Sequence, residues 1–179
     1  MTARRLCAGL VAALVLSAPA CAVTTTAAMP RCEASQRLGI VAQSVPGAAY
    51  LPCIADLPPG WSFESFEVDD DGTHFSLRSD RSDRPVDVEL AASCDVGSAT
   101  PVVPRDEGVR TYQLSASVSP RFAGRFYDVF AHGCVTYEFD FARGPHIALI
   151  DELQRAVDLY PRRLLRQELQ DQLGITLNP

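Results

Sequence analysis

The chain has 179 residues, 22 of them acidic and 16 basic, for a formal charge of −6. With that balance and no basic stripe interleaved with aromatics, it repels phosphate backbones, which excludes nucleic acid as a partner. Every basic residue is arginine, so Schiff-base lysine, phosphate-loop lysine and Ser-x-x-Lys chemistry are excluded too, and the GC-rich codons of arginine point to a GC-rich bacterial genome.

In chain order, Arg4 and Arg5 precede an uncharged apolar run from Leu6 to Leu16, and Ser17 to Ala20 supply small residues for cleavage. This is a secretory signal over residues 1–20, too short for a bilayer span, which takes about 20 apolar residues. Cys7 and Ala8 fit poorly behind a twin-arginine pair, so ordinary secretion is the better reading. Two arginines and no acid leave with the signal, so 14 Arg then face 22 acids across 159 residues, a charge of −8.

Cys21 follows directly. Ala20 is the small residue that precedes a lipidated cysteine, although Ala18 stands where leucine is usual and Pro19 is uncommon. Five cysteines outlast cleavage: Cys21, Cys32, Cys53, Cys94 and Cys134. Lipidation of Cys21 leaves an even four to pair in an oxidising compartment. The alternative is plain Ala18-x-Ala20 cleavage, releasing a soluble protein with an odd thiol. Residues 21–30, "CAVTTTAAMP", are uncharged and without hydrophobic periodicity, as a tether is. The expected partner at this end is membrane lipid held through Cys21, and residues 31–179 form one domain.

Ser35 to Val45 fits a short helix with Leu38, Val41 and Val45 on one face, stopped by Pro46 and Gly47. After the "DLPPG" turn at 56–60, period-2 alternation takes over. "WSFESFEV" (61–68) meets "THFSLRS" (73–79) across "DDDG", and "VDVEL" (86–90) turns Val86, Val88 and Leu90 inward. A loop with Pro101 and Pro104 leads to "VRTYQLSASV" (109–118), "RFYDVFA" (125–131) and "VTYEFDF" (135–141). Leu149, Leu153, Val157 and Tyr160 then fall at helical spacing, and a second helix runs from Pro161 through Leu165, Leu169 and Leu173 to Gly174. The expectation is an α+β fold: an antiparallel, meander-like sheet of about six strands. One face is covered by two C-terminal helices and a short N-terminal helix.

In such a meander Cys94 and Cys134 share one end of the sheet, while Cys53 lies at the other, where the N-terminal helix brings Cys32. The preferred pairs are therefore Cys94–Cys134 and Cys32–Cys53, among three possible connectivities.

"DDDGT" (69–73) matches the Asp-x-Asp-Gly-Thr opening of haloacid-dehalogenase-type phosphotransferases. That motif ends a buried parallel strand, whereas here half-polar strands flank it and the family's usual downstream lysine is missing. Asp-Gly between alternating runs reads as a hairpin turn, and three consecutive Asp do not space as calcium ligands. His74 falls on an outward strand face, His132 in a hairpin turn and His146 at a helix start. None has zinc-ligand spacing, and each reads as solvated. Asp106-Glu107 reads as loop solvation. No cofactor, metal site or catalytic residue is indicated. The aromatics of 122–141 fill both strand faces, which puts Phe126 and Phe130 on the face opposite the core, either covered by other chain or open to an envelope protein partner.

Taken with "AQSVPGAAYLPC", "LPPGWSF", "SCD" and "GCVTYEFDF", the chain resembles a family of small exported proteins of GC-rich actinobacteria. The resemblance spans most of the mature region and implies export and disulfides, with no catalytic residues or ligand to carry over. The expected function is a membrane-tethered binding or accessory module at the outer face of the cell membrane. The alternative is an envelope hydrolase with a non-local Asp/His/Ser site.

Overall fold

Alternation decides the sheet. Val86, Val88 and Leu90 are buried, as are Val135, Tyr137, Phe139 and Phe141, while Asp87 and Glu138 between them face water. The structure, a computed structural model, describes residues 29–117, 120–142 and 146–177. The expected signal, Cys21 and the tether up to residue 28 lie outside the described residues.

The element order is α1 (Gln36–Ser44), β1 (Tyr50–Ile54), β2 (Trp61–Val68), β3 (Thr73–Ser79), β4 (Val86–Ala91), β5 (Thr100–Val102), β6 (Arg110–Ser117), β7 (Phe122–Phe130), β8 (Gly133–Phe141), α2 (His146–Ala156), β9 (Val157–Pro161) and α3 (Arg162–Leu173). The fold is α+β. Its main sheet has seven antiparallel strands in the order β2-β3-β4-β8-β7-β6-β5, rather than about six. It is also not one meander. Two meanders run β2 to β4 and β5 to β8, and β8 returns to pair with β4.

The seventh strand, β5, lies in the stretch expected to be a loop. Pro101 removes one backbone donor, which an edge strand tolerates, and β5 is the edge strand beside β6. A second difference is the helix expected to reach Tyr160. It ends at Ala156, and Val157–Pro161 pair antiparallel with Tyr50–Ile54 as a separate ribbon. Buried Val157 and Leu159 flank exposed Asp158, so this segment satisfies period 2 as well as a helical period. Backbone donors of β1 decide between them by demanding a partner strand.

The cover includes the expected N-terminal helix beside the C-terminal ones, with the β1–β9 ribbon added to it. Leu38, Val41 and Ala42 of α1, the β1–β9 ribbon, Leu149 and Leu153 of α2, and Leu165 and Leu169 of α3 form one cluster with the inner sheet residues. Ser35 caps α1 by accepting from the Leu38 amide at 3.3 Å. Gly174, left-handed at φ 66°, ends α3 by donating to the Gln170 carbonyl, and Ile175 donates to that of Leu169. Two disulfides join Cys32 to Cys53 and Cys94 to Cys134, the mark of an oxidising, extracytoplasmic setting. Among the described residues no helix is long and apolar enough to cross a membrane.

Candidate functional site

Two places concentrate unusual chemistry, one sealed inside the core and one open to solvent. The sealed one begins on β7. Phe126, Asp128 and Phe130 share its inner face and are all buried, so Phe126 and Phe130 fill the core, covered by other chain, and lie on the core face with Tyr137 rather than opposite it. Phe126 packs on Phe139 with ring centroids 5.3 Å apart, and Phe130 meets Tyr50 edge-on at 5.5 Å. The reason is Asp128. Set between two phenylalanines at alternate positions, it makes the inner face read as the wet one.

Asp128 is 1% exposed. The Thr111 hydroxyl, opposite it on β6, donates to Asp128 Oδ1 at 2.7 Å. Arg105, in the loop between β5 and β6, brings Nη1 to 3.9 Å from Asp128 Oδ2. Its Nη2 donates to the carbonyls of Gln154 (2.6 Å) and Val157 (2.7 Å), where α2 gives way to β9. One guanidinium thus links the sheet, the loop and the helix–strand junction. The Tyr137 hydroxyl and Asp128 Oδ2 have no hydrogen-bond partner among the described residues. Burial pushes the Tyr137 phenol well above its ordinary value of 10, and the Asp128 charge adds to the shift. Burial likewise raises the Asp106 carboxyl, helped by Asp158 and opposed by Arg105.

The void these groups line is about 10 Å³, bounded by Arg105, Thr111, Asp128, Tyr137 and apolar Phe126 and Leu153. That is at the lower limit for a single water and leaves no room for a substrate. No histidine lines it. The cluster is a polar clamp under α2.

The residues singled out from the sequence are dispersed. His74 lies 3.7 Å from Asp69 and is partly exposed. His132 occupies the β7–β8 turn with φ 59°. His146 begins α2 but is not simply solvated: its ring stacks on Phe122 at 5.5 Å, and Nε2 is buried without a partner among the described residues. Among those residues no group of three or more His, Cys, Asp or Glu could hold a metal ion. "DDDGT" forms the β2–β3 turn. Asp69 Oδ1 accepts from the Asp71 and Gly72 amides at 2.9 and 3.0 Å, and the Asp69 amide donates to the Gly72 carbonyl.

The open place is a groove of about 800 Å³ between α1, the β2–β3 turn and the segment after α3. Its floor is apolar: Ile40, Val68, Leu169, Ile175 and Leu177. Ile40 is 44% exposed and Val68 38%. Leu169 of α3 packs beside Gly39 of α1, where even a Cβ would make only an ordinary van der Waals contact, 3.7 Å from Leu169 Cδ1. Gln36, Gln43, Asp69, Asp70 and Thr176 line the polar walls, and no basic residue joins them.

No family model, curated protein or solved structure matches this chain.

A concave apolar floor with a few polar groups is the usual form of a binding site, and about 300–1,000 Å³ its usual size. The sequence signal for it was weak. Ile40, in the middle of α1, and Val68, at the end of β2, look like ordinary apolar positions of amphipathic elements, and only the fold brings them beside Ile175 and Leu177.

Proposed function

We propose that this protein is an exported cell-envelope lipoprotein, held at the outer face of the membrane through Cys21, and that it works as a binding or accessory module. The observation that carries the binding role is the α1–α3 groove, an apolar floor left open beside an otherwise filled core. Support for the anchor comes from cysteine parity. The four domain cysteines are bonded to one another, so none is left to pair with Cys21 once the signal and Cys7 are removed.

The binding role is tested with an uncharged, environment-sensitive naphthylamine probe titrated into the purified protein. Saturable fluorescence enhancement that falls away in Ile40→Gln is the expected result; no saturable signal overturns the groove as a binding site. The anchor is tested by fractionation. Cys21→Ser is expected to move the protein from the membrane to the soluble fraction, and an unchanged distribution, or a mature N-terminus lacking diacylglycerol mass, overturns it.

A further inference from the structure

Resting on the reading of the groove as the binding site, we infer that its occupant is an extended, apolar segment of a partner polypeptide carrying a basic side chain. Three features of the groove select this class.

The first is charge. Asp69 and Asp70 stand on the walls with no arginine among the lining residues, although the chain has 16 arginines to place. Asp69 is already engaged by two turn amides and by His74 at 3.7 Å. Asp70, exposed at the apex of the same turn, is the carboxylate left to meet an incoming cation. An acyl chain with an anionic headgroup would meet repulsion at this end.

The second is the kind of polar group on the helix side. Gln36 and Gln43 are amides, which donate and accept at once, as peptide bonds do. They stand two turns apart on α1, roughly 10 Å along the axis, the span of about three residues of extended chain. Thr176, whose hydroxyl donates to Gln170 Oε1 at 2.9 Å, adds an acceptor to the lining.

The third is shape. Ile40 of α1 and Val68 at the end of β2 are large apolar side chains left partly exposed on the floor of the groove. They give alternate side chains of an extended segment two places to bury, while the intervening ones face water or the acidic turn.

The test uses three short fluorescein-labelled peptides alternating leucine with arginine, serine or glutamate, titrated by anisotropy into wild type, Ile40→Gln and Asp70→Asn. Both positions are exposed, so neither change threatens the fold. The leucine–arginine peptide is expected to bind about two- to fivefold tighter than leucine–serine, the range of one exposed ion pair, and leucine–glutamate weakest. Asp70→Asn is expected to erase the preference for arginine while leaving leucine–serine unchanged, and Ile40→Gln to weaken all three. Equal affinity for the three peptides overturns the cationic class. Binding of the naphthylamine probe with no peptide binding overturns the polypeptide, and the groove remains a small-molecule site. A concentration-dependent dimer abolished by Ile40→Gln overturns it in favour of a second copy of the chain. Failure of probe and peptides together removes the binding role itself.

Discussion

Cys134 faces Ala91 across the β4–β8 ladder, and Cys94, three residues further on, closes a disulfide back to it. The bridge therefore fixes the loop after β4 onto the strand that β4 already pairs with. Cys53 sits on β1, where the bridge to Cys32 holds the start of the domain against the ribbon. Sequence separations of 40 and 21 residues correspond to about 4 and about 3 kcal/mol in the chain-entropy account. Cys53 and Cys134 are fully buried, so paired replacement by alanine avoids adding a buried hydroxyl. Urea unfolding should show the Cys94/Cys134 pair costing more than the Cys32/Cys53 pair. The reverse order would mean that local strain or denatured-state structure outweighs loop length.

Gly72 carries the close approach in the β2–β3 turn. It adopts φ 151°, and a Cβ there would lie 1.9 Å from the Leu90 carbonyl oxygen. That atom is backbone in the middle of the sheet and cannot swing aside. Gly72→Ala is expected to cost about 2 kcal/mol or more, whereas Asp71→Ala, one residue earlier on the exposed turn, should stay within about 0.5 kcal/mol. Thermal unfolding of the two variants is the check, and similar midpoints would contradict the geometric reading of "DDDGT".

Trp61 is the only tryptophan, and its indole N–H donates to Glu152 Oε2 on α2 at 2.7 Å. The Arg81 guanidinium, bonded to the same carboxylate, holds Glu152 below its ordinary value of 4.5, with Trp61 adding to the shift. A depressed carboxyl stabilises the folded state above its ordinary value, and that contribution is lost as pH falls through the folded value. Trp61 emission should therefore shift on acidification below the usual carboxylate range. Glu152→Gln should remove this pH dependence, and Glu152→Ala, which leaves the indole N–H without its acceptor, should cost about 1–2 kcal/mol. Emission unchanged by pH in wild type would show that the contact does not persist in solution.

How far the sequence could be read depended on whether one period spoke alone. β3 and β4 alternate along their length and β8 does so from Val135 onward, and α1 and α3 carry their own stop signals in Pro46-Gly47 and Gly174. β9 failed because Val157 and Tyr160 also continue the helical spacing of Leu149 and Leu153, and the deciding partner, β1, lies more than a hundred residues earlier. The inner face of β7 was mis-sided because Asp128 is a buried charge, a placement visible only once Thr111 and Arg105 are seen beside it. Topology misled in another way. Alternation says which residues face inward, but not that β8 returns beside β4, which is a long-range choice. The groove was illegible for the same reason, since no local rule joins Ile40, Val68 and Leu177.

The clamp around Asp128 yields the sharpest energetic contrast. Asp128→Ala strips Thr111 of its acceptor and leaves the half-buried Arg105 guanidinium without its counter-charge, and breaking such a pair costs about 3 kcal/mol or more. Tyr137→Phe removes a hydroxyl whose interaction with Asp128 falls short of a fully formed hydrogen bond, so stability at neutral pH should stay within about 1 kcal/mol of wild type. At high pH the two proteins diverge. A phenol raised above its ordinary value of 10 keeps its proton in the folded state while the unfolded chain ionises, so its contribution is complete below pH 10 and lost as pH rises. The slope reaches about 1.4 kcal/mol per pH unit for one proton. Denaturant titrations at several pH values above 10, paired with tyrosine absorbance, should show wild type losing stability along that slope and Tyr137→Phe losing less. Identical alkaline slopes would mean that Tyr137 ionises as freely in the fold as in the open chain.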